Sequence, residues 1–274
     1  MAGSFAAAML GADGLHAASA EPLPASAGPR NGALLIIGGG ELEAEIQEAA
    51  IRLGRGPDGG PARWVVIPTA QEDEALSGTK PPDFTGRDGA VATVLHTRDR
   101  GEADSADFVA PLEAATAVWF VGGRQWRLVD AYADTRTERA LRAVLDRGGL
   151  IAGTSAGATI QGSYLVRGAR EGNEIMMSPG HERGFGYITN VAIDQHVIAR
   201  GRERDLAQVV AAHPRLLGIG IDEATAVVVQ QDRMSVIGRS VVLITDGADH
   251  AGQPYYTLTA GTQFDLASRT TVPA

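Results

Sequence analysis

The chain contains no cysteine. That absence removes disulfide frameworks, thiolate nucleophiles and cysteine-bound metal sites together. No stretch approaches the ~18 to 20 consecutive apolar residues of a membrane span, so a soluble protein is expected. Positive charge is in the minority, with 24 Lys+Arg against 33 Asp+Glu and a net charge of −9. A surface of that sign repels nucleic acid and anionic membrane, and neither is expected as a partner. The 35 glycines show no collagen-like period and fall at strand ends and turns, as a chain alternating strands and helices through tight loops requires.

At 274 residues, with 44% hydrophobic and 21% charged side chains, the composition is that of one large globular domain. Residues 1–32, rich in Ala, Gly, Ser and Pro, are expected to form a flexible tail before a single catalytic domain over 33–274. Ala18-Ser19-Ala20 resembles a small-residue cleavage site, but no basic segment precedes it and Gly11, Asp13 and Gly14 interrupt the apolar part. The chain is therefore expected in the cytoplasm, with a weak secretion signal as the alternative.

From Ala33 onward, short apolar runs alternate with helical patterns. Strands are expected at Leu34–Ile37, Trp64–Thr69, Ala90–His96, Ala117–Val121 and Gly149–Gly153, and helices at Glu41–Leu53 and Thr137–Asp146. These strands are apolar on both faces, which marks a parallel sheet covered on both sides. After Ser163 the pattern becomes less regular. Ile193–Val197 reads as a strand end or loop, Gly201–Ala212 as a helix and Leu216–Ile221 as a buried strand. Thr225–Gln230, Arg233–Ile237, Val241–Thr245 and Tyr255–Thr259 read as antiparallel strands. The expected fold is α/β, a doubly wound, mostly parallel sheet with a C-terminal β-rich extension.

Gly153-Thr154-Ser155-Ala156-Gly157 fits the G-x-S-x-G nucleophile elbow, with a strand before it and a helix after it. Such a turn lifts the serine hydroxyl above the sheet. The Ala156 N–H then becomes one oxyanion donor, and Gly122 or Gly123, after the fourth strand, supplies a second at the same sheet edge. A serine needs a base. Of six histidines, His16 lies in the tail, His181 in a loop expected to be mobile, His213 beside a helix end and His250 in a polar turn. His96 ends a strand, and His196 sits in the polar cluster Asp194-Gln195-His196, so both stay open on this reading. A carboxylate must orient the imidazole. Asp222 and Glu223 follow a buried strand and point to opposite faces, so one of them serves, with Asp194 as the local competitor.

Six segments together resemble the cyanophycinases, serine peptidases grouped with aspartyl dipeptidases. They are Gly38-Gly39-Gly40-Glu41, Ile67-Pro68-Thr69-Ala70, Phe120 to Gln125, Gly153 to Ala158, Asp194 to His196 followed by Arg200 and Arg202, and Gly218 to Glu223. The resemblance implies a class I glutamine amidotransferase-like (flavodoxin-like) fold and hydrolysis of cyanophycin, an arginine-bearing polyaspartate, to β-Asp-Arg dipeptides. It implies Ser155 as nucleophile, His196 as base and Glu223 as orienting acid. Gln125, Asp194, Gln195, Arg200 and Arg202 match substrate-binding positions, no cofactor or metal is called for, and a homodimer is expected. One position departs. Asp205 stands where the family carries a further arginine, which is expected to reverse local charge and shift substrate, unless Arg204 on a helix face shared with Arg200 compensates. An aspartyl or isoaspartyl dipeptidase, an acyltransferase and a non-catalytic binding homologue are the alternatives.

Overall fold

A computed structural model of the protein describes residues 26–273. Two β-sheets share one core. The nine-stranded sheet is built on parallel strands β1 (Ala33–Ile37), β2 (Arg63–Ile67), β3 (Val91–Val94), β4 (Ala117–Phe120) and β5 (Leu150–Thr154). Parallel neighbours need crossover connections. These come from α1 (Ala44–Gly54), α2 (Asp73–Leu76), α3 (Arg100–Ala103), α4 (Ala106–Ala114), α5 (Gln125–Tyr132) and α6 (Arg136–Asp146). β-Strand alternation splits the strand residues between two apolar layers. Ala33, Leu35, Ile37, Trp64 and Trp119 pack with Ile46 and Ala50 of α1, while Leu34, Ile36, Val118 and Phe120 face α4 to α6 and the second sheet.

The chain leaves this sheet through α7 (Ala156–Thr159) and builds a second one from β6 (Gly162–Tyr164), β7 (Ile188–Gln195) and β8 (Leu217–Ile221), parallel to one another, with α8 (Asp205–Ala212) packed outside. It returns through Asp222–Ala224 to β9 (Thr225–Gln230), which lies antiparallel beside β1. The remaining strands divide between the sheets. β10 (Arg233–Gly238), β13 (Gln263–Asp265) and β14 (Thr270–Val272) extend the first, giving the order β14-β13-β10-β9-β1-β5-β4-β2-β3. β11 (Val241–Thr245) and β12 (Tyr256–Thr259) complete the second, in the order β12-β11-β8-β7-β6. Among the described residues, no helix is long and apolar enough to cross a membrane.

Ile193–Gln195 form the end of an eight-residue strand, β7, as expected, and His196–Val197 lie beyond it. Three expectations need correction. The late strands do not append to one doubly wound sheet but alternate between two. The helix expected at Gly201–Ala212 begins only at Asp205, so Arg200 and Arg204 share no helix face. The end of the expected tail is also docked. Asp232 Oδ1 accepts the N–H groups of Ala27 and Gly28 at 2.7 and 3.0 Å, and Thr189 N–H donates to the Ala27 carbonyl. Most of that tail, residues 1–25, lies outside the described residues.

Candidate active site

The site forms where the carboxyl ends of both sets of parallel strands meet. Ser155 follows β5 and His196 follows β7. Glu223 lies in the crossing from β8 to β9.

Ser155 sits at φ 55°, ψ −114°, a strained conformation for a non-glycine residue that the surroundings must enforce. Its N–H donates to Ile37 O, and its carbonyl accepts from Ala158 and Thr159 of α7. The two flanking glycines are there for space. A Cβ on Gly153 would lie 2.3 Å from the Gly157 carbonyl, and one on Gly157 would lie 2.4 Å from the Phe120 carbonyl. With the strand, the turn and the helix so close, the hydroxyl projects above the sheet edge.

His196 Nε2 lies 2.9 Å from Ser155 Oγ, and Nδ1 lies 2.6 Å from Glu223 Oε1. This network assigns the ring proton to Nδ1, donated to Glu223, and leaves Nε2 to accept the serine hydroxyl. Burial depresses the His196 pKa below the ordinary histidine value, and Arg200 and Arg202 add to that effect. The Glu223 hydrogen bond opposes it without prevailing. The ring is therefore neutral near pH 7 and able to take a proton.

The glycine run after β1 forms the wall behind this pair. Gly39 lies at φ +118°, and a Cβ there would fall 2.1 Å from the His196 ring. His196 N–H donates to Gly38 O, and Ala224 N–H donates to Gly39 O. Asp222 turns the other way from Glu223, as strand alternation requires. It accepts from the backbone N–H groups of Ile198 and Ala199 and from the Ser240 hydroxyl. Burial works against its ionisation, but those donors outweigh it and hold its pKa below the usual carboxylate value. Asp222 thus fixes the turn that carries His196 while Glu223 meets the ring.

On the nucleophile's other side, Gly122 approaches Ser155 closely, since a Cβ there would lie 3.8 Å from Oγ. Gly123, at φ +142°, leans on the Ala70 carbonyl, so the Ile67-Pro68-Thr69-Ala70 segment forms the floor of this turn. Among the described residues, the N–H groups of Gly122, Gly123 and Ala156 donate to no backbone carbonyl. Gly122 and Ala156 adjoin Ser155, so two N–H groups without a backbone acceptor lie next to the nucleophile.

The expected substrate-binding residues divide. Arg200 is exposed, and its N–H closes a turn onto the His196 carbonyl. Arg202 is only 6% exposed. Its Nη1 has no partner, and Glu174 approaches its Nη2 at 3.9 Å. Gln195 is buried with an unpartnered Oε1. Gln125 and Asp194 are engaged within the protein, Gln125 Nε2 donating to Val166 O and Asp194 forming a bidentate pair with Arg167. Asp205 joins the same arginine at 2.6 Å. Its charge is thus spent on Arg167, and Arg204 reaches away to Gln253.

The other described histidines are occupied elsewhere. His96 bonds Thr69, His250 bonds Asp246, and His213 ends α8 against Tyr164. His181, expected in a mobile loop, is held by Asp130 at 3.1 Å. Among the described residues, no group of three His, Asp or Glu side chains is placed to hold a metal ion. Sequence reasoning missed Arg167, whose signal was a lone arginine directly after the apolar run Tyr164-Leu165-Val166, and it missed the part Gly39 plays under His196.

Comparison with known proteins identifies the family and the fold. The model of Peptidase family S51 matches residues 34–237. A cyanophycinase from Nostoc sp. is 33% identical over 263 residues, covering 88% of each chain. A cyanophycinase from Geminocystis herdmanii is 34% identical over 220 residues, covering 78% of this chain and 80% of that one. Among solved structures, a peptidase from an acI-B1 Actinobacterium superposes with a TM-score of 0.68 at 27% identity, covering 87% of this chain and 98% of that one. A putative peptidase E from Listeria monocytogenes EGD-e shares the fold, with a TM-score of 0.53 at 14% identity over 76% of this chain and 99% of that one.

Proposed function

The chain belongs to peptidase family S51 and is a serine-type peptidase, and from that premise we propose that it is an exopeptidase hydrolysing cyanophycin to β-Asp-Arg dipeptides. The observation that carries the reading is the hydrogen-bonded series Ser155–His196–Glu223, with unspent backbone N–H groups beside it. The Ser155 oxygen attacks an α-peptide carbonyl while Nε2 of His196 takes its proton. The oxyanion meets the N–H groups of Ala156 and of Gly122 or Gly123. Collapse forms the acyl-enzyme and breaks the C–N bond, and His196 hands its proton to the leaving amine. Water, deprotonated by the same ring, then releases the product acid. Glu223 holds the tautomer and stabilises the imidazolium.

Exposed Arg200 suits the carboxylates that arginine side groups carry along the polymer, with the buried, unpartnered Nη1 of Arg202 and Oε1 of Gln195 as a further donor and acceptor. With Asp205 committed to Arg167, the substrate-facing charge remains basic. That supports the polymer over a changed substrate. The class I glutamine amidotransferase-like (flavodoxin-like) fold rests on the family resemblance, because the parallel core runs β3-β2-β4-β5-β1 and not in the flavodoxin-like order 2-1-3-4-5. The homodimer rests on the family resemblance.

The test is release of dipeptide from cyanophycin by wild type and by Ser155→Ala, beside a panel of short β-aspartyl peptides. Dipeptide release that vanishes in the variant is expected. Cleavage confined to the short peptides would move the assignment to an aspartyl dipeptidase, and no serine-dependent cleavage would overturn it.

A further inference from the structure

We infer that Arg167, which touches none of the reacting groups, is a positioning residue that sets His196 against Ser155 by bracketing the two halves of the site. The inference rests on reading Ser155, His196 and Glu223 as the reacting groups.

The Arg167 side chain is fully buried and its three nitrogens are all spent. Nε and Nη2 form a fork onto Asp194 at 2.9 Å each, Nη2 also reaches Asp205 at 2.6 Å, and Nη1 donates to Asn173 O at 2.6 Å. An apolar side chain of similar volume often stabilises a fold as well as a buried ion pair does. What an arginine fork adds is fixed geometry.

Here that geometry ends two residues from the base. Asp194 Oδ1 accepts Arg167 Nε and also the N–H of Gln195. The next residue, His196, takes φ 56°, unfavourable for a residue with a side chain. The peptide one residue ahead of that strained position is therefore pinned through Asp194 by Arg167.

The backbone around Arg167 holds the other half. Val166 O accepts Gln125 Nε2 at 2.9 Å, and Ala169 O accepts Arg124 Nη2 at 2.8 Å. Arg124 and Gln125 come directly after the Gly122-Gly123 turn beside Ser155. The segment packs closely on its neighbour, since a Cβ on Gly168 would lie 2.1 Å from the His181 carbonyl. One short stretch thus ties the oxyanion side of the nine-stranded sheet to the histidine side of the five-stranded sheet. Arg167 makes its hydrogen bonds to Asp194, Asp205 and Asn173 and none to His196, so it acts on the ring through geometry.

The experiment measures labelling of Ser155 by a fluorophosphonate, in which the serine oxygen forms the P–O bond as fluoride leaves and His196 takes the proton. Rates are expressed per folded molecule across pH. Wild type is expected to label and Ser155→Ala not to label. If wild type does not label, the functional reading falls and this inference falls with it. Arg167→Lys keeps the charge and loses the fork. It is expected to label about tenfold or more slowly, with the acid limb of the rate profile unmoved. Asp205→Asn keeps the Asp194 fork and is expected to slow labelling less. Met234→Ala, a core truncation two strands from β1, supplies a destabilised control expected to label at the wild-type rate. Wild-type labelling by Arg167→Lys, or equal slowing by Met234→Ala, overturns the assignment. Should Arg167→Lys not fold, a wild-type rate in Asp205→Asn overturns it instead.

Discussion

Ser155 leaves the nine-stranded sheet under backbone control, whereas His196 leaves the five-stranded sheet under side-chain control. On the serine side, Gly153 and Gly157 admit carbonyls closer than any Cβ would allow, and the turn is closed by backbone hydrogen bonds to and from Ser155 itself. On the histidine side, Arg167 holds Asp194, Asp222 holds Ile198 and Ala199, and Glu223 holds the ring. A backbone device of this kind tolerates changes in polar residues but no added methyl group. A side-chain device responds in grades, one hydrogen bond at a time.

The largest effect expected is that of Ser155→Ala, which keeps the elbow and removes the reacting oxygen. Peptide hydrolysis should fall by at least about 10⁴-fold with the melting temperature nearly unchanged. Next comes Glu223→Gln, with a loss on the order of 10²-fold in kcat, tempered because the side chain is 40% exposed. Glu223 raises the proton affinity of His196, so its removal lowers that pKa further. The acid limb of kcat/KM should then move to lower pH, and a shift to higher pH would contradict the geometry.

Gly39→Ala tests the wall that the two sheets share. A methyl group at 2.1 Å from the imidazole must displace it, and the positive φ adds strain. Activity should drop roughly 10²-fold, at a cost of about 1–3 kcal/mol in urea unfolding. The smallest effect belongs to Asp222→Asn, which weakens acceptance from three donors and should cost about 1–3 kcal/mol at pH 7. The folded Asp222 pKa lies below the ordinary value of 3.8, so its contribution is present above that value and lost as pH falls through the depressed one. Urea melts of wild type and variant should therefore converge under strong acid. Parallel curves at every pH would show that Asp222 does not carry the turn.

Legibility followed the same division. The elbow was readable because all its determinants lie within five consecutive residues, and the parallel strands were readable from runs apolar on both faces. Asp222 and Glu223 were correctly separated onto opposite faces by strand alternation, but which one met an imidazole was not a local property. Asp194 looked like a competitor for the ring because proximity in sequence hid Arg167, 27 residues away. Asp205 looked like a reversed charge in a substrate site for the same reason.

What the sequence determined by itself was the chemistry available. It offered a serine on a glycine-flanked turn, histidines, paired carboxylates and no thiol, on a chain whose periodicities require strands covered by helices. Tertiary structure alone decided the partners. Strands β9 to β14 could have joined either sheet, and their alternation brings Glu223 to the crossing between sheets and His196 to the mouth of the second. Hydrophobic periodicity specifies which face of a strand is buried. It does not specify which strand lies alongside or which distant cation neutralises a buried carboxylate, because those are settled by packing across the core.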